Sequence, residues 1–116
     1  MTIQRYLTET RFSEAALLGE LIFLSGQVPT NGHGNIQEQT ENILAQIEQT
    51  LNTLGSDKAH LLDATIFVKD FADYDGMNAV WDNWLPKGHA PCRACVQAHL
   101  VKPEWRLEIK IIAAKI

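Results

Sequence analysis

The stretch APCRACVQAHLVKPEWRLEIKIIAA, residues 90–114, decides the fold. It holds two runs of alternating apolar and polar residues, parted by a short loop around Pro103. Side chains on a strand point to opposite sides in turn, so the alternation predicts strands over 92–100 and 105–114. On the first, Cys92, Ala94, Val96, Ala98 and Leu100 share one side, and Arg93, Cys95, Gln97 and His99 the other. On the second, Trp105, Leu107, Ile109, Ile111 and Ala113 form an apolar side, opposite Arg106, Glu108, Lys110 and Ile112. If the two pair as a hairpin, their apolar sides must coincide to make one core. Arg93, Cys95, Gln97, Arg106, Glu108 and Lys110 then share the other face.

Upstream, residues 60–69 are rich in β-branched and aromatic side chains and read as a strand. A helix follows from about 70, with Tyr74, Met77, Trp81 and Trp84 on one face. Gly76 weakens it, and Pro86 with Gly88 ends it. The clearest helix starts at Asn35, with Glu38 three residues on as in a capping box. Ile43, Leu44, Ile47, Leu51 and Leu54 make its apolar face, and Gly55 its stop. Before it, 27–34 is loop chemistry (QVPTNGHG), and 15–18 and 21–25 flank Gly19-Glu20, which suits a type II′ turn. Residues 2–7 read as an edge strand. The order β-β-β-α-β-α-β-β predicts a layered α+β or mixed α/β domain, with two helices on one sheet face and the other face polar or in need of a partner.

The chain has 116 residues, enough for one domain, 1–116, and too few for two cores. The net charge of −4, without a Lys/Arg cluster, is a poor match for a nucleic-acid backbone. No apolar run nears the roughly 20 residues that span a bilayer, and the N-terminus lacks a signal-peptide pattern. Two cysteines make no disulfide scaffold, so the expected compartment is the cytoplasm.

A mixed set of charges on a sheet face can be a solvated surface laced with salt bridges. It can also be an anion clamp. Arg93 follows Pro91 and Cys92 in an otherwise apolar stretch, and its planar fork suits a carboxylate, with Glu108 as the nearby acid/base. Cys92-Arg93-Ala94-Cys95 is a Cys-x-x-Cys string, but on a strand those thiols point to opposite faces, against a redox pair. A single such string is too little for a closed zinc site, and His33, His60, His89 and His99 lack ligand spacing. Trp81 and Trp84 read as core rather than as a stacking platform for bases.

Taken together, these motifs resemble the RidA/YjgF family of enamine/imine deaminases, over about 11–114. Ala90-Pro91-Cys92-Arg93-Ala94-Cys95-Val96-Gln97 resembles its Pro-x-Arg-x-x-Val signature, and Leu107-Glu108-Ile109 its closing strand. Leu24-Ser25-Gly26-Gln27-Val28-Pro29, Ala64–Asp70 and Met77-Asn78-x-x-Trp81 are similar to further blocks, in the same order. The resemblance implies a fold like the trimeric chorismate mutases: a six-stranded mixed sheet with two helices on one face, three copies closing a barrel with clefts between subunits.

It also implies roles. Arg93 would bind the substrate carboxylate and Glu108 would position the attacking water, as the catalytic pair. Cys95, Phe12, Ser25, Gly26 and Asn78 would line the cleft. The implied reaction is hydrolysis of 2-aminoacrylate-type enamines, as their 2-imino acid tautomers, to 2-keto acids and ammonia, without metal or organic cofactor. The implied partners are a small 2-imino or 2-keto acid and two further copies of the chain, not nucleic acid or membrane. A trimer that binds small carboxylates without turnover, or regulates another enzyme, is the alternative. Two positions depart from the family pattern: Phe12 stands where many members have tyrosine, and Lys110 where they have a second glutamate. They mark a divergent subgroup.

Overall fold

The computed structural model describes residues 1–116. Strands β1 (Gln4–Thr8), β2 (Ser13–Leu18) and β3 (Leu21–Leu24) precede helix α1 (Ile36–Thr53). Then come β4 (Leu61–Val68), α2 (Tyr74–Trp84), β5 (Cys92–Gln97) and β6 (Leu107–Ala114). Single 3-10 turns, Lys58–His60 and Phe71–Asp73, lead into β4 and α2. The six strands form one sheet in the order β1-β2-β3-β6-β4-β5. Every neighbouring pair is antiparallel except β4 and β5, so the sheet is mixed and the fold is α+β.

Local chemistry accounts for the punctuation. Leu18 faces Leu21 across a two-residue turn. Gly19 has φ +59° while Glu20 keeps a negative φ, which is the type II′ pattern. The α1 capping box is complete: the Glu38 N–H donates to Asn35 Oδ1 at 2.9 Å, and the Asn35 N–H to Glu38 Oε1 at 3.0 Å. Gly76 does more than weaken α2. A Cβ there would meet Ile36 Cγ2 at 2.7 Å, so the glycine lets α2 approach the start of α1.

The core lies between the helices and one sheet face. Ile43, Leu44, Ile47 and Leu51 of α1 and Met77 and Trp81 of α2 cover Ile22, Leu24, Ala64, Ile66, Val68, Leu107, Ile109 and Ile111. No helix covers the opposite face. It carries Leu18, Phe23, Phe67 and Ile112, half-buried, and Val96, which is 43% exposed.

The expected hairpin of the last two strands does not form. β3 pairs with one edge of β6 and β4 with the other, so β6 has no edge left for β5. β5 instead lies parallel to the far side of β4. Residues paired across strands point to the same side. Arg93 pairs with the buried Ala64 and Cys95 with the buried Ile66, so both face the helices. Glu108 pairs with Phe67 and Lys110 with Thr65 on the uncovered side. Arg93 and Glu108 thus lie on opposite faces of one sheet, contrary to the common face expected from a hairpin. Both strands are also shorter than expected: β5 ends at Gln97, and Trp105 and Arg106 lie in the turn before β6.

Candidate functional site

On the helix side, α2 and β5 meet around one cation. Tyr74 and Asn78 sit four residues apart on α2 and so share a helix face toward β5. The Arg93 guanidinium donates from Nη1 to Asn78 Oδ1 at 2.8 Å and from Nη2 to the Tyr74 hydroxyl at 3.2 Å. Its carbon lies 5.6 Å from the Trp81 ring centroid and 5.9 Å from that of Tyr74. The two rings and two oxygens fix the plane of the group. Beside it opens a recess of about 480 Å3, lined by Phe71, Tyr74, Arg93 and Cys95. Burial pushes the Cys95 thiol up from its ordinary value, outweighing the downward pull of the Arg93 charge.

The second group lies where β3 runs out beside β6. The carboxylate of Glu108 rests over Gly26, where a Cβ would overlap it. Gln27, buried, holds that segment in place. Its backbone exchanges bonds of 2.7 and 3.0 Å with Ile109, and its amide donates to Glu14 Oε1 at 3.0 Å and to the Ser25 carbonyl at 2.9 Å. The Ser25 hydroxyl donates to the carbonyl of Ser13, next to Phe12, a residue that is 50% exposed. Lys110 Nζ donates to the Leu24 carbonyl at 2.8 Å.

The chain's ion pairs are Lys58–Glu48, His60–Asp57 and Arg106–Asp73. Arg93 and Glu108 belong to none of them. Arg106, expected on the shared face, instead ties the turn before β6 to Asp73, just ahead of α2, at 3.0 Å. No three His, Cys, Asp or Glu side chains converge as metal ligands. No helix is long and apolar enough to cross a membrane.

The fold therefore gathers the seven expected site residues into two sets. Arg93, Asn78 and Cys95 stand together, as do Ser25, Gly26 and Glu108 with Phe12 nearby; the sheet divides the sets. Phe71 and Tyr74 line the first set without having been expected there. The four-residue spacing of Tyr74 and Asn78 was the available signal for the tyrosine.

Such a molecule is a small α+β domain with a fixed, unpaired guanidinium on one sheet face and an unpaired carboxylate on the other. A family model described as Endoribonuclease L-PSP matches residues 2–115. The RutC family protein YoaB of Escherichia coli K12 is 46% identical over 114 residues, covering 98% of this chain and 99% of its own. A RutC family protein of Haemophilus influenzae is 42% identical, covering 97% and 98%. The crystal structure of NMB1025 from Neisseria meningitidis, described as a member of the YjgF protein family, superposes with a TM-score of 0.96 at 52% identity. It covers 100% of this chain and 97% of its own. The chain belongs to this L-PSP family, to which the RutC and YjgF names attach.

Proposed function

We propose that the protein hydrolyses 2-imino acids, the tautomers of 2-aminoacrylate-type enamines, at a cleft shared by two copies of the chain. The carrying observation is the Arg93 guanidinium, oriented by Asn78 and Tyr74 beside an open recess and paired with no carboxylate of its own chain. An arginine held this way is an anion receptor. Glu108 is the base, and in one chain it lies across the sheet from Arg93. A working site therefore takes Arg93 from one copy and Glu108 from another. The uncovered sheet face, with Phe23, Phe67, Val96 and Ile112, supports a homotrimer in which other copies bury it.

In the reaction the substrate carboxylate binds Arg93, which fixes the imine carbon. Glu108 orients a water and accepts a proton from it as the new C–O bond forms. Glu108 returns that proton to nitrogen to give a carbinolamine, then moves the proton of the new hydroxyl to nitrogen as the C–N bond breaks, releasing ammonia and leaving a 2-keto acid. The residues supply positioning, a cation and a base, and no step calls on a cofactor. The family description also names an endoribonuclease. The charge favours that activity less: α1 and α2 carry Glu38, Glu41, Glu48, Asp75 and Asp82 and no Lys or Arg.

The test is keto-acid release from an enamine generated by a dehydratase. Arg93→Ala should cut the enzyme-dependent rate on the order of 100-fold, the scale of a lost charge-assisted bond. Full activity in that variant removes Arg93 from the mechanism. The binding-only alternative draws on the same guanidinium. It prevails if the wild-type chain binds 2-keto acids and never accelerates the hydrolysis.

A further inference from the structure

Arg93 offers five N–H donors, and two are spent on Asn78 and Tyr74. Three remain, enough for a carboxylate to dock through two parallel bonds. The Tyr74 side of the recess holds one more donor. Its hydroxyl oxygen accepts from Arg93 Nη2, and its own proton goes to no acceptor in the chain. Tyr74 is 36% exposed and lines the recess with Arg93. A phenol that accepts from a cation is polarised and becomes a better donor.

We infer that the Tyr74 hydroxyl is a substrate-binding group, donating a hydrogen bond to the carboxylate that Arg93 holds. This rests on the carboxylate site proposed above. An oxygen that accepts from Nη2 approaches the corner where the hydroxyl sits, 3.2 Å from that nitrogen, so one carboxylate oxygen takes both protons. The carboxylate then meets the guanidinium and the phenol as one receptor, and the direction of the O–H sets which way the imine carbon points. Asp73, next in sequence, does not compete for that proton, because its carboxylate is turned to Arg106.

The test uses Tyr74→Phe, which keeps the ring against Arg93 and deletes only the hydroxyl. Pyruvate serves as the probe, its affinity read by calorimetry, beside turnover of the dehydratase-generated enamine. Its Kd, and the KM for the enamine, should both rise about tenfold, with kcat changed less than about twofold. Equal affinities would overturn the inference, as would a fall in kcat at unchanged KM.

A hydroxyl that only braced Arg93 would also weaken binding when removed, and crystals of the protein soaked with pyruvate separate the two cases. Donation puts the Tyr74 oxygen within about 3.2 Å of a carboxylate oxygen seated on Arg93, and leaves the guanidinium in place on Asn78 in Tyr74→Phe. A carboxylate bound by Arg93 with the Tyr74 oxygen beyond about 3.5 Å, or a guanidinium displaced from Asn78 in Tyr74→Phe, overturns donation. Pyruvate binding that depends on Tyr74 in a chain without turnover upholds this inference and sinks the deaminase. Turnover with an idle Tyr74 does the reverse, and absence of both binding and turnover sinks the two together.

Discussion

β5 and β6 are the two strands with the clearest alternation, and they use it in opposite senses. In β6 the apolar side, Leu107, Ile109, Ile111 and Ala113, is fully buried under α1 and α2. In β5 the apolar side, Cys92, Ala94 and Val96, faces away from the helices and is exposed. Its polar side turns inward, and Arg93 and Cys95 reach the edge of the helix layer. The cause is position. β6 is central, with a strand on each side and α1 above it, so its apolar residues find cover within the chain. β5 is the edge strand beyond β4, where α2 offers Tyr74, Asn78 and Trp81. Those groups suit a guanidinium better than an aliphatic side chain. In the proposed trimer, alternation would report that one side of a strand is dry and not whose atoms keep it dry.

The hardest trial of this contrast is a mixture of two inactive chains. Arg93→Ala and Glu108→Ala should each lose most activity alone. If β5 of one copy and β6 of the next share a cleft, exchange of subunits rebuilds intact clefts. In a 1:1 mixture about a quarter of the clefts receive both wild-type residues, so about a quarter of the activity should return. A mixture as dead as its components shows that the two strands do not serve one site.

Stability should split the strands in the same way. Ile109→Ala opens a cavity in the core and should lower the unfolding free energy by about 3 kcal/mol in urea, with the assembly intact. Val96→Asp puts a charge on the uncovered face. It should leave each chain folded by circular dichroism and reduce the proposed trimer toward the 13.0 kDa monomer in light scattering. An assembled Val96→Asp protein breaks the comparison, because the exposed side of β5 would then need no covering copy.

Much of the fold is legible in the chain because its signals are local. The Asn35–Glu38 box, the Gly19-Glu20 turn and the one-sided face of α1 each act within a few residues and appear where their chemistry predicts. The pairing of β5 is not local. Nothing within 92–114 says that β4, some thirty residues upstream, occupies the edge of β6 that a hairpin would use. That one substitution of partners reverses the side on which Arg93 lies. The identity of the arginine was readable, because a guanidinium in an apolar stretch needs a counter-charge or a ligand. Its surroundings were not. The aromatic face of α2 looks like ordinary core in sequence, and Trp81 is indeed buried there. Only the geometry shows that the same rings hold a cation.

The smallest expected effect concerns Cys95, which probes how dry the inward side of β5 is. Two influences oppose each other at its sulfur. Withdrawal from water disfavours the thiolate, while the Arg93 charge favours it, and the first prevails. The thiolate is the species that reacts with alkylating agents. With Cys92→Ser to silence the other thiol, iodoacetamide labelling should therefore rise with pH to a midpoint above that of free cysteine, about 8.5. Tyr74→Phe with the same background should leave that midpoint in place, since the ring that shelters the recess remains. A midpoint below that of free cysteine would mean that the guanidinium governs the thiol. The inward side of β5 would then be wet and charged, its likeness to the buried side of β6 would fail, and the recess beside Arg93 would be a solvent-filled groove rather than a site that can strip water from a carboxylate.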